Sequence, residues 1–393
     1  MTKKKKSAAL FCAVLMCLAV GASSVSAADP APEGKEYTLK EVRDLAASMA
    51  PQIEQQKAEI DTARANESAA YITAQTAQAE SVGNFYAMTG GTYDSSLVSP
   101  EMAGALETMT VSVQSLIDAH EDSRDTLRDK QNALDQLRDK VGYDAEVLYL
   151  QLVYMEDTIQ ITEKSLELLQ KKKLITDKQY ELGLAAAVSV EQAAQDIKNT
   201  EQQIAALKDG IAAAKLQMDS YLGLPAGTPF FLAAPEFPAT PYEKDPVRVE
   251  QLALENSLTV RQLARDLDKI NKKADQIPGS GNNTKERLAA AGRTMAVALS
   301  ETKRSLNTVT ESFFAALEQS QTKIDLLKRD LTLAEINRQI SEKQYGLGLI
   351  PQIQYLSEDL NVEMAKYNLK KAEFDDYQAR RKIQLLQKGI IAA

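Results

Sequence analysis

The chain has 393 residues, 26% of them charged and only 6% aromatic, with no tryptophan, one histidine (His120) and two cysteines (Cys12 and Cys17). A His/Cys metal centre, a cysteine nucleophile with a histidine base, and a Ser-His-Asp triad each need residues that are absent or present once, so the composition argues against an enzyme and implies no cofactor and no metal. A net charge of −9 argues against a general binder of nucleic acid or anionic lipid, and the shortage of aromatics beside abundant Ala, Gln, Leu, Lys and Glu points to long helices in place of thick cores.

Residues 1–27 have the three parts of a secretory signal: basic Lys3 to Lys6, an apolar run from Ala8 to Val20, and small residues Val25-Ser26-Ala27 before a cut. The apolar run is shorter than the roughly 20 residues that span a bilayer, which favours cleavage near Ala28 over a retained anchor. Met16 is a poor fit to the small residue that precedes a lipidated cysteine, so lipidation at Cys17 is the weaker alternative. Both cysteines then leave with the signal, the mature chain has no disulfide, and loss of four lysines takes the formal charge from −9 to −13. The chain is expected to be exported to the cell envelope, either outer membrane or periplasmic. No second stretch approaches a transmembrane helix, which leaves a strand barrel, a peripheral patch or a partner as routes to a membrane.

The twelve prolines leave 101–224 and 279–350 free, and an interior proline costs a helix about 3 kcal/mol, so long helices are expected there. Half of the prolines crowd into 225–246. The expected organisation is a first helical repeat over 28–222 with an insert loop at about 81–100, a Pro-rich linker over 223–246, and a second helical repeat over 247–389. The first repeat reads as an entry helix at about 51–80, a loop, a long helix to about 181, a turn at Gly183 and a return helix at about 187–222. The second reads as an entry helix at about 247–275, a loop over Pro278–Asn283, a helix at about 285–345, a turn at Gly348, and a return at 351–388 that begins with Pro351.

Coiled-coil seams support these helices. Leu116, Leu127, Leu134, Leu137, Val141, Leu148 and Met155 follow steps of three and four or their multiples, with a second seam at Leu152, Ile159 and Leu166. In the other half Leu299, Thr302, Leu306, Val309, Phe313, Ala316, Ser320, Ile324, Leu327, Leu331 and Ala334 do the same. Tyr143, Tyr149 and Tyr154 are expected at helix interfaces. The seams are rich in small residues, which suits a curved sheet or tube of helices. The predicted class is all-α, built of long antiparallel hairpins in two structural repeats.

The repeats are visible directly. Lys178-Gln179-Tyr180-Glu181-Leu182-Gly183-Leu184 recurs as Lys343-Gln344-Tyr345-Gly346-Leu347-Gly348-Leu349, six identities in seven at a shift of 165. Val42, Leu45, Ala46 and Ile53 correspond to Val249, Leu252, Ala253 and Val260 at a shift of 207, so the first half is the longer one between its landmarks, with the extra length expected within 81–118.

These motifs, with the entry segment Tyr37-Thr38-Leu39-Lys40-Glu41-Val42 and the helix end Tyr221-Leu222-Gly223-Leu224-Pro225, resemble the TolC-like outer membrane efflux family over nearly the whole mature chain. The resemblance implies a homotrimer whose helices form a hollow tube. It also implies two turns that dock a periplasmic adaptor, which connects to an inner-membrane pump. Transferred to this chain, the docking residues are Leu182, Gly183, Leu184, Leu347, Gly348 and Leu349. Glycine tolerates the left-handed backbone of a tight turn, and an exposed apolar neighbour can bury against a partner; the alternative is an ordinary C-cap with leucines closing the turn.

Two departures from the family are expected. A spanning strand needs about 9–11 residues, and only Val82–Tyr93 offers room for one short hairpin, around Gly90-Gly91, so little or no β-barrel is predicted. The positions where the family places gate residues hold Ile350, Gln354 and Ser357, so no gate is transferred, and Glu358 and Asp359 read as a solvated helix face more readily than as an acidic constriction. His120 among Asp118, Glu121 and Asp122 reads as a charged face, Lys171-Lys172-Lys173 as solvated charge, and Gly279-Ser280-Gly281 as a turn. The reading of a different class is an envelope scaffold or binding protein that keeps the hairpins and has lost the channel.

Overall fold

A computed structural model describes residues 34–89, 99–237, 241–277 and 283–392. The signal at 1–27, the Gly90-Gly91 turn and the Gly279-Ser280-Gly281 turn lie outside them. In chain order the elements are β1 (Lys35–Tyr37), α1 (Leu39–Met49), α2 (Pro51–Thr89), α3 (Pro100–Glu181), α4 (Ala187–Leu222), β2 (Phe230–Leu232), α5 (Pro246–Asn256), α6 (Leu258–Gln276), α7 (Asn283–Gly346) and α8 (Gln352–Gln387). At 1.5 Å per residue, α3 is about 120 Å long and α7 about 95 Å. Both α2 and α4 pack along α3, both α6 and α8 pack along α7, and contact of α3 with α8 joins the halves.

The entry helix expected at about 247–275 is two helices, α5 and α6, whereas the one expected at about 51–80 is α2, preceded by a further helix, α1. In the first half a capping box opens α1: the Glu41 amide donates to the Thr38 hydroxyl (3.3 Å) and the Thr38 amide to the Glu41 carboxylate (2.9 Å). Pro51 then forces Ala50 into extended backbone and starts α2. Ser257, the repeat partner of Ala50, makes the same break without a proline, its hydroxyl accepting from the Val260 amide at 3.3 Å. Val42, Ala46 and Ile53 and their repeat partners Val249, Ala253 and Val260 are all buried.

The extra length of the first half is helical. Helix α2 has 39 residues against 19 in α6, and α3 has 82 against 64 in α7. Val82–Met88, expected in the insert loop and in the one stretch with room for a short strand hairpin, lies inside α2. The strands among the described residues are β1 and β2, a parallel pair of three residues each with Tyr37 opposite Leu232. The Pro-rich segment thus contributes a strand that composition did not suggest. The buried hydroxyl of Tyr149 donates to the carbonyls of Tyr37 (3.3 Å) and Ala233, tying both strands to α3, and burial pushes its pKa up to about 12. Tyr143 is also buried, and Tyr154 stacks on Tyr367 with ring centroids 4.7 Å apart.

The core is a band where the short helices meet the long ones: Val42, Ala46, Ile53, Leu150, Leu152, Met218 and Leu222 in the first half, and Val249, Ala253, Leu306, Leu317, Ile383 and Leu386 in the second. Leu317 occupies the seam place expected for Ala316, which is exposed; the larger side chain removes more apolar surface from water. In the first cluster Glu146 of α3 is 1% exposed and faces Arg381 of α8 (Oε2 to Nε, 2.9 Å) and Arg43 of α1 (Oε1 to Nη1, 3.5 Å). Burial pushes its carboxyl pKa up more than the two guanidiniums pull it down.

A candidate docking site at the hairpin tips

Helices α3 and α7 end in the same way, because the same seven-residue motif ends both. Gly183 adopts φ +71° and Gly348 φ +70°. The Gly183 amide donates to the Tyr180 carbonyl (2.9 Å) and the Leu184 amide to the Gln179 carbonyl (2.7 Å); Gly348 and Leu349 repeat this on Tyr345 (2.9 Å) and Gln344 (2.8 Å). This is a Schellman turn, which satisfies carbonyls that the helix end leaves free and requires a left-handed residue that glycine supplies without strain. Schellman turns usually fold an apolar residue back onto the helix. Here Leu182, Leu184, Leu347 and Leu349 are 70–76% exposed, so the leucines do not close the turns.

The two turns share one end of the molecule. Pairs between α3 and α8 run Asp139–Lys388 (2.7 Å), Glu146–Arg381 (2.9 Å), Asp157–Lys370 and Lys164–Glu363 (3.1 Å). Each advance from one pair to the next along α3 is matched by an equal retreat along α8, which fixes an unbroken antiparallel register. At that register Gln352, the first residue of α8, is level with Ile175, six residues or about 9 Å before α3 ends at Glu181, so both turns stand at the same end. Four exposed leucines are thereby brought to one end, with Val188 of α4 also exposed.

Just behind the second turn, the Tyr345 and Tyr355 rings stack at 5.6 Å, and Arg338 of α7 donates to the Asp359 carboxylate (2.7 Å) and the Tyr355 hydroxyl (3.4 Å). Asp359 therefore pairs across the hairpin while remaining on the solvated face that the sequence suggested; Glu358 accepts from Asn361 of its own helix. Neither Tyr355 nor Arg338 was marked by sequence reasoning. Their partners in the first repeat are Val190 and Lys173, and Lys173 pairs within α3 with Asp177 (2.7 Å). Elsewhere His120 is half-buried, its Nε2 3.0 Å from Glu67 and its ring against Tyr71. No cluster of metal-ligating side chains occurs among the described residues, and no described helix is long and apolar enough to cross a membrane.

No protein-family model and no curated protein matches the chain in sequence. Solved structures do match. The outer-membrane channel OprN superposes with a TM-score of 0.61 at 14% identity, covering 90% of each chain. CusC, described for the conformational changes that accompany folding and transmembrane channel formation, gives 0.59 at 12% identity over 90% of this chain and 93% of its own. The Campylobacter jejuni CmeC outer membrane channel gives 0.54 at 11% identity over 89% and 85%. At these identities the likeness establishes the fold alone, the long-hairpin TolC-like helical fold that those channels share, as the duplicated turns suggested.

Proposed function

We propose that the chain is an exported, non-catalytic component of an efflux route. Three copies close into a helical conduit, and the turns at Leu182-Gly183-Leu184 and Leu347-Gly348-Leu349 receive a periplasmic adaptor that connects to an inner-membrane pump. The observation that carries the reading is the pair of near-identical exposed apolar turns held at one end of two long hairpins. The fold it shares with OprN, CusC and CmeC supports it. So do Leu326, Leu333 and Ile340 of α7, which stand exposed at heptad steps, an apolar seam left uncovered by the described residues. In this reading residues 1–27 are removed on export, 28–222 and 247–389 are the two repeats that each copy gives to the ring, and 223–246 links them.

Photocrosslinkers at Leu184 and Leu349 test the docking role. Gly183→Asp and Gly348→Asp keep the turn, since aspartate tolerates left-handed backbone, but place a charge in the contact. Leaving that charge without a partner costs at least about 1.4 kcal/mol, so adaptor crosslinking is expected to fall about tenfold or more while helical circular dichroism is unchanged. Undiminished crosslinking in both variants would remove the tips from the docking surface.

A further inference from the structure

One heptad seam runs along α3 through Asp129, Asp125, Asp122, Asp118, Ser115, Val111, Thr108 and Gly104, in steps of three and four. Its lower half is covered by α6: Asp129 pairs with Arg265, Asp122 and Asp125 with Lys269 (2.6 and 3.0 Å), and Asp118 with Lys273 (3.9 Å). In that register α6 ends at Gln276, level with Ser115, and α3 runs on for about 22 Å to Pro100 with α2 beside it. Where α6 stops, the acidic residues of the seam stop too. The upper half of the seam is exposed and uncharged, and residues 65–123 contain no lysine or arginine.

This uncovered face is made for a close helix neighbour. Thr108 and Ser115 donate their hydroxyls to carbonyls of their own helix, Gly104 (2.8 Å) and Ser112 (2.7 Å), so covering them strands no donor. Gly104, unfavourable inside a helix, has no described residue beyond its own helix turn within 4 Å of where a Cβ would stand. The same hairpin also carries the complementary surface: Ile72, Gln75, Ala79, Val82 and Tyr86 form an exposed, uncharged seam on α2, large where the α3 seam is small.

We infer that the occupant of the α3 face is the α2 seam of a second copy. This rests on the trimeric reading above: knobs on α2 of each copy enter the small-residue face on α3 of the next, a head-to-tail contact that closes into a ring. Because the α6–α7 hairpin is shorter, the ring passes from helices of both repeats to the six helices of three α2–α3 hairpins. The conduit therefore narrows to a six-helix neck at the end remote from the Leu-Gly-Leu turns.

The test is disulfide trapping in the full chain carrying Cys12→Ser and Cys17→Ser, so that introduced thiols are the only ones. The pair Val82→Cys with Thr108→Cys, and separately Ala79→Cys with Val111→Cys, places one thiol on each seam at matching height. Oxidation is expected to give covalent dimers and trimers on a denaturing gel, reversed by reductant. A particle of three-chain mass in which neither pair crosslinks would overturn the neck and leave the trimer standing, whereas a one-chain mass would overturn both. Flotation with phosphatidylethanolamine/phosphatidylglycerol vesicles, without crosslinks, would overturn it in favour of lipid as the occupant.

Discussion

Arg381→Met is expected to destabilise the protein by about 3–5 kcal/mol at neutral pH, because it leaves the carboxylate of Glu146 buried with a single, more distant guanidinium. Glu146 joins three helices: its own α3, α1 through Arg43, and α8 through Arg381. The pH dependence follows from the direction of its shift. Burial raises the folded-state pKa above the unfolded value, so the contribution of this group is most favourable below the unfolded pKa and is lost as pH rises through the folded one. Removing one guanidinium raises the folded pKa further. The penalty of Arg381→Met should therefore be largest above pH 7 and shrink as the solution approaches and passes below about pH 4.3, the ordinary glutamate value. Denaturant melts followed by circular dichroism at pH 7.5 and pH 4 check this, and an equal penalty at both would contradict it. The double variant Glu146→Leu with Arg381→Met should recover most of the loss, since apolar replacement of a buried ion pair is often neutral or stabilising.

Gly389→Ala is the second substitution with a large expected effect, about 2–5 kcal/mol from left-handed strain and overpacking together. The C-terminal end of α8 closes in a Schellman turn, with the Gly389 amide donating to Leu386 (2.8 Å) and the Ile390 amide to Leu385 (2.9 Å). That turn is pressed against the α5–α6 break, where the Asn256 side chain donates to the Gln387 carbonyl (2.7 Å), and the Gln136 side chain bridges the Asn256 and Lys388 carbonyls (3.1 and 2.9 Å). Gly389 has φ +76°, and an added Cβ would lie 2.4 Å from the Asn256 carbonyl carbon and 2.5 Å from the Ser257 nitrogen, both backbone atoms that cannot rotate away. Strain of about 1–2 kcal/mol then adds to an overpacking cost of about 1–3 kcal/mol. Gly223→Ala separates the two contributions. Its φ of +66° is similar, but a Cβ there meets only the flexible Met49 side chain at 3.5–3.6 Å, so the strain alone should appear. Equal losses at the two sites would show that the clash at Asn256 carries nothing.

How far the sequence reached depended on whether a feature repeats. The Schellman turns were legible because the same motif occurs twice, and a conformational demand met by glycine at Gly183 reappears at Gly348. Val42 with Val249 and Ala46 with Ala253 were legible as repeat partners for the same reason, and all four are buried. Features formed by residues distant in sequence were not. Glu146 stands in a helix charged on several faces and looks solvated until Arg43, from the first helix of the chain, and Arg381, from the last, close over it. The break at Ser257 has no proline to announce it, and only its repeat partner Ala50, which precedes Pro51, gives a signal. The segment at 82–93 was read as part of an insert loop, with room for one short strand hairpin around Gly90-Gly91. Val82–Met88 instead continues α2, whose Ala, Gln and Thr residues sustain a helix that packs on α3.

The most direct measurement on the central claim is the mass and shape of the purified full-length protein. Light scattering should give three chains per particle, and electron micrographs should show a three-fold hollow cylinder, about 120 Å long, with an open lumen along its axis. A monodisperse single-chain particle, or a trimer whose axis is filled along its whole length, would contradict a conduit and favour an envelope scaffold.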